Sequence, residues 1–360
     1  MIKNINLFKS LTLGLVVSIA VASCKKDKDE PVPTPVPTGY TVPVTYNFAN
    51  VNYGGQSTRL TMMDSISNYM KKGNNGIVLD ANLMKDMYSN TGNPFGLIAL
   101  DASGKQLKNK TYSLDQTYFD ALFDSLAVAS QSAVVASNGV AGLDGGRLFD
   151  RNGIELAQVI KKQLMGAVFY YQAVETYLAN FNVDDNTTLN SDGTTMEHHC
   201  DEAFGYFGAP IDFPTNISEV KYWAEYCAEV NTPISCNTAL MNGFLKLRAA
   251  ISNKDYTTRD AQVIIVREQW ERVVAASAIL EMKEAKAAFG TDQVEMRHVL
   301  SEAVGFINSL KYNSNKKISN TQIATALSAL GNNFYTISVA DIDTAINAIN
   351  TVYAFNLSAF

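Results

Sequence analysis

The sequence predicts an all-α protein: an up-down bundle of about ten helices, built from a degenerate internal duplication and preceded by a short extended segment. Three observations predict it. From Ser57 onward, apolar residues recur at helical rather than strand spacing. The helical stretches are joined mostly by short loops, with one glycine-rich connector at 139–153. One nine-residue pattern occurs twice, 100 positions apart.

Residues 1–23 form a signal peptide. Lys3 and Lys9 make a positive n-region, and Leu11 to Ala22 is apolar but too short to span a membrane. Val21-Ala22-Ser23-Cys24 resembles a bacterial lipobox, which makes Cys24 the lipidated first residue of the mature chain. Residues 24–41 follow as a tether of charge and alternating proline, KKDKDEPVPTPVPTGY, an extended spacer without a core. Charged residues after the cysteine resemble the surface-export tags of Bacteroidetes-type lipoproteins, diluted here by Lys25, Lys26 and Lys28. The expected location is the bacterial cell envelope, lipid-anchored to the outer membrane, with the periplasmic and surface faces both open. The membrane is reached through the lipid alone.

The remainder, 42–360, is read as the helical domain, with repeat halves at about 150–254 and 255–350. TVPVTYNFANVNY, rich in Val, Thr and Tyr, reads as strand. Leu60, Met63, Ile66 and Met70 form the first helical stripe, and 115–135 is a second helix. GVAGLDGGRLFDRNG holds five glycines, which bar a regular helix. A long apolar helix is expected over 154–179, then an acceptor-rich loop, NVDDNTTLNSDG, which lacks EF-hand spacing and reads as solvated. Further helices are expected over 218–230, 235–251, 259–289, 292–312, 319–330 and 338–350.

Composition narrows the partners. The chain carries a net charge of −6, and loss of residues 1–23 with Lys3 and Lys9 makes it −8. An acidic chain without a basic stripe argues against nucleic acid. Cys227 and Cys236 flank a turn-like NTPIS and form a candidate disulfide in an oxidising compartment, leaving Cys200 free or buried. No CxxC, HExxH, GxSxG, P-loop or dinucleotide fingerprint occurs.

The repeat carries the candidate chemistry. HHCDEAFGY (198–206) and HVLSEAVGF (298–306) both fit His-x-x-x-Glu-Ala-x-Gly-aromatic, and they use all three histidines of the chain. His198, Glu202 and Gly205 share one helix face, as do His298, Glu302 and Gly305. Matched glycines imply close helix approach at Gly205 and Gly305. If the copies pack about a pseudo-twofold axis, two His–Glu pairs face one space. Imidazole and carboxylate there suit iron or another divalent metal. Glu295 adds a Glu-x-x-His spacing to the second copy, and Glu197 and Asp201 add oxygens on other faces. The structural alternative makes the pairs buried pins of helix register, binding nothing. A metal-dependent enzyme ranks last.

KKQLMGAVFYYQA, EHHCDEAFGYFG and HVLSEAVGFINSL together resemble an uncharacterised family of Bacteroidetes lipoproteins with a domain of unknown function. YNFANVNYGGQSTRLTMMDSISNYM matches that family's opening pattern, so the resemblance covers nearly all of the chain beyond the tether. In the family an aromatic often follows the paired histidines; Cys200 stands there. The broad plan is similar to imelysins, duplicated helical bundles of the envelope linked to iron uptake. That similarity implies envelope iron-uptake partners. Of the imelysin Gly-x-His-x-x-Glu, His199 and Glu202 match, and Glu197 replaces the glycine. The repeat therefore selects His198, and the imelysin pattern selects His199.

Overall fold

The Val-, Thr- and Tyr-rich segment before residue 54 does not pair as a strand. In the computed structural model, which describes residues 39–179 and 181–360, it runs as irregular chain. Tyr46 is its anchor: the ring stacks on Phe204 at 3.8 Å, and the backbone N–H donates to the Ile211 carbonyl at 2.8 Å. Burial of the aromatics against helices replaces strand pairing, a tertiary override of β propensity. The signal peptide, Cys24 and the tether up to residue 38 lie outside the described residues.

The rest of the chain is a helical bundle with one small hairpin. α1 (Gly54–Met70) buries the stripe Leu60, Met63, Ile66 and Met70. α2 (Ala81–Ser89) starts where the Asp80 carboxylate accepts from the Asn82 N–H. α3 (Ile98–Asp101) is a single turn, and α4 (Gln116–Ser130) ends earlier than its apolar pattern implies. Neither α2 nor α3 was expected from periodicity; both are short.

The glycine-rich connector forms no regular helix and folds as a hairpin. β1 (Gly142–Asp144) pairs antiparallel with β2 (Arg147–Phe149) across Gly145 and Gly146. Both glycines have positive φ, 54° and 77°, which this tight turn requires.

α5 (Leu156–Leu164) continues as two π-helical segments, Met165–Tyr170 and Gln172–Tyr177. Widened turns displace backbone bonds, and neighbours capture some of the carbonyls. Trp223 Nε1 donates to the Met165 carbonyl at 2.9 Å, and the Tyr112 N–H to the Ala167 carbonyl at 2.9 Å.

α6 (Thr195–Phe207) begins in a capping box between Thr194 and Glu197 and stops at Gly208, whose φ is 83°. α7 (Trp223–Glu229), α8 (Asn231–Ile234) and α9 (Cys236–Ser252) follow. α10 (Tyr256–Ala288) is the longest helix, and α11 (Gln293–Ser309) starts on the Asp292 carboxylate. α12 (Asn320–Leu330) and α13 (Val339–Tyr353) each begin in a capping box. α11 packs on α10 and on α5, α10 on α9, and α12 on α13, while α6 packs on the π-helical end of α5, on α9 and on α1. Among the described residues no helix is long and apolar enough to cross a membrane.

The two motif glycines sit at close contacts. A Cβ on Gly205 would lie 2.5 Å from Tyr53 Cβ, and one on Gly305 would lie 2.5 Å from Lys162 Cβ. The first approach is to the segment entering α1, the second to α5.

Candidate functional site

The motif helices carry their histidines into different surroundings. On α6, His198 Nε2 stands 3.9 Å from Glu202 Oε1, beyond a hydrogen bond, and its buried Nδ1 has no partner among the described residues. Gln56 Nε2 donates to Glu202 Oε1 at 2.6 Å. Both His198 and Glu202 line a cleft of about 260 Å³, together with Asn52, Gly55, Gln56, Arg59, Lys105, Lys110 and Asp192. The lining is almost wholly polar, so its side chains are the natural contacts of a small polar ligand.

His199, one residue on, turns away from that cleft. Its Nδ1 lies 2.7 Å from Asp184 Oδ2, and its ring packs against Tyr177 at 5.3 Å. The acceptor-rich loop therefore does structural work: Asp184 holds His199, and buried Asn186 donates to the Ile251 carbonyl and accepts from Thr194 Oγ1.

Glu197 and Asp201, the two further acids of α6, serve Arg248 on α9. Arg248 Nη1 reaches Glu197 at 2.7 Å, and Nε reaches Asp201 at 2.9 Å. Tyr46 also donates to Asp201, at 2.9 Å. Burial pushes the Asp201 carboxyl up to about 6, against the pull of Arg248. Glu197 is lowered: burial raises it, but the Thr194 N–H, Ser252 and Arg248 outweigh that. Cys200 beside them is buried, and desolvation pushes its thiol up to about 12, which suits an inert thiol.

On α11 the matching pair is closed by neighbours. His298 Nδ1 lies 2.7 Å from Glu155 Oε2 and 2.8 Å from Arg147 Nη1. Its Nε2 is 3.5 Å from Glu302 Oε1. Lys162 from α5, itself buried, reaches Glu302 Oε2 at 2.9 Å and bonds the Tyr226 hydroxyl. Arg147 also holds Glu295, at 3.0 Å, so Glu295 and His298 meet through a guanidinium and not directly. Glu281 on α10 adds a second carboxyl beside Glu302. Burial and the Glu302 charge raise Glu281. Glu302 is itself pushed up by burial, but Lys162, the larger opposing influence, and His298 leave it lowered.

Among the described residues, the hydrogen-bond and ion-pair partners of the two pairs have no residue in common. His198 and Glu202 look onto α1 and the segment after α3; His298 and Glu302 look onto β2, α5 and α10. Among the described residues, no group of three or more His, Cys, Asp or Glu side chains is placed to hold a metal ion. Cys227 and Cys236 are free thiols with sulfurs 3.2 Å apart.

Sequence reading missed Arg59, Lys105, Lys110, Lys162, Glu155 and Glu281. Lys162 alone carried a signal: it interrupts an apolar stripe between Val159 and Gly166. The cleft cations come together only through the fold.

No curated protein and no solved structure matches this chain. Residues 43–355, from the start of the Tyr46 anchor segment to just beyond α13, match a family described as a domain of unknown function (DUF4856). The match spans both motif helices and every element around them, and the chain belongs to that family.

Proposed function

We propose that the protein is a lipid-anchored envelope protein that binds a small polar ligand in the cleft beside His198 and Glu202. One observation carries this reading. The first motif pair opens on a polar cleft of about 260 Å³, whereas its counterpart is filled by Lys162 and Arg147. The duplication then has one copy for binding and one for packing, and no catalytic group is assigned. Cys24 holds the domain to the outer membrane through lipid.

A panel of sugars, amino acids, carboxylates and phosphates tests this by thermal shift on the mature chain. A class that raises the melting temperature of the parent but not of a folded His198→Trp variant supports it. No response from any class overturns it. Loss of labelling by a fatty-acid analogue on Cys24→Ala tests the anchor.

A second reading is binding of iron or another divalent metal, with envelope iron-uptake partners. The approach of His298 Nε2 to Glu302 Oε1, 3.5 Å, favours it, and Lys162 on Glu302 opposes it. Elemental analysis of protein purified without a chelating tag decides. Stoichiometric metal, lost on His298→Ala, replaces the first reading.

A further inference from the structure

We infer that the ligand of the first-motif cleft is a small oxyanion, a carboxylate or phosphate, held by Arg59, Lys105 and Lys110; this rests on the binding reading above. The three cations come from separate places: Arg59 from α1, Lys105 from the segment after α3, and Lys110 from the 3-10 turn Lys108–Lys110. Among the described residues none of them makes an ion pair. Like charges gathered in a cleft repel, and Glu202 and Asp192 in the same lining offset two of the three.

Arg59 and Lys105 converge on one place, and Lys110 lines the same cleft. Arg59 is buried and fixed: Nε donates to the Gln106 carbonyl at 2.8 Å and Nη1 to the Gly55 carbonyl at 3.2 Å. Arg59 Nη1 and Lys105 Nζ both lie within 3.6 Å of the point a Gly55 Cβ would occupy. Gly55 thus leaves room for the two heads to converge. The Lys110 ammonium lies 3.4 Å from the Tyr177 hydroxyl and 5.8 Å from that ring. Burial lowers Lys110 and the Arg59 charge lowers it further, against the pull of Glu202.

The acids of the cleft are engaged by neutral amides instead. Gln56 holds Glu202, and Asn52 holds Asp192 at 3.0 Å. Three cations against two acids leave the lining one positive charge in excess for the ligand. His198, with a buried Nδ1 lacking a partner, supplies a further polar group at the wall. Arg and Lys together suit an oxygen-rich anion: a guanidinium offers paired N–H donors and an ammonium a point charge.

The test is calorimetric titration of the mature full chain at low ionic strength with inorganic phosphate and, separately, citrate. One of them should bind one-to-one, more tightly than millimolar. Lys105→Gln and Lys110→Gln should each weaken it by about tenfold or more, the loss of one charge-assisted contact. Lys72→Gln, away from the cleft, should leave it unchanged. If Lys110→Gln fails to fold, Lys105→Gln carries the test alone, since Lys105 is partly exposed. No binding of either probe, or binding indifferent to the cleft lysines, overturns the oxyanion assignment. If neutral sugars or polyamines then stabilise the parent but not His198→Trp, the binding reading stands and only the ligand class falls. If nothing stabilises it, both fall.

Discussion

At the scale of single residues, the buried charges decide most of the energetics. Arg248 is the sole cation on Glu197 and Asp201 among the described residues, and it is only 1% exposed. Arg248→Ala strands two carboxylates in the interior, and the expected loss of stability is about 3–5 kcal/mol by urea unfolding. A loss below about 1 kcal/mol would mean that water reaches both acids. Glu281 gives a pH signature. Its folded-state affinity for a proton is raised, first by burial and then by Glu302. The unfolded chain releases that proton above about pH 4.3. Stability from this group is therefore complete below that pH and is lost as pH rises. Glu281→Gln keeps the donor to Glu302 without titrating. It should match the parent at pH 4 and exceed it at pH 8 by about 1 kcal/mol or more. Equal stabilities at both pH values would show that Glu281 ionises freely.

At the scale of elements, α11 lies on α5 because Gly305 has no side chain. An alanine there improves helix propensity by about 1 kcal/mol. Its Cβ would also stand 3.1 Å from the Gln163 nitrogen and the Val159 carbonyl, which are backbone and do not move cheaply. Gly305→Ala should therefore destabilise by about 1–3 kcal/mol, measured as a shift in unfolding midpoint with unchanged slope. A neutral or stabilising result would mean the helices can part without cost. The α8 turn also places Cys227 beside Cys236. Oxidation of the folded chain should link them, seen as protection of both thiols from alkylation after denaturation. The link should add about 2–3 kcal/mol, as a loop of this order gives. Thiols that stay open to alkylation in oxidised protein would refute the pairing.

At the scale of the whole molecule, the long helical stripes were legible because burial on one face imposes a period. The stripe of α1, the caps at Asp292, Ser319 and Ser338, and the α10–α11 hairpin all follow from local chemistry. The segment around Tyr46 was not legible, since its Val, Thr and Tyr serve packing against α6 and α9 rather than strand pairing. The five glycines of the connector ruled out a helix there but did not show that Gly145 and Gly146 make the turn of a hairpin. At the site, the repeat marked His198, Glu202, His298 and Glu302. It could not show that Lys162 and Arg147 close one pair while the other opens on a cleft, because those neighbours come from distant segments. His199 belongs with Asp184, and His198 with the cleft.

The central claim is that one copy of the motif packs and the other binds. Equilibrium unfolding of His198→Ala beside His298→Ala tests it most directly. His198 has no hydrogen-bond partner at Nδ1 and stands 3.9 Å from Glu202, so its loss should change stability by no more than about 0.5 kcal/mol. His298 closes on Glu155 at 2.7 Å inside a buried network, so its loss should cost about 2–3 kcal/mol. Equal costs, or a larger cost at His198, would contradict the division of roles.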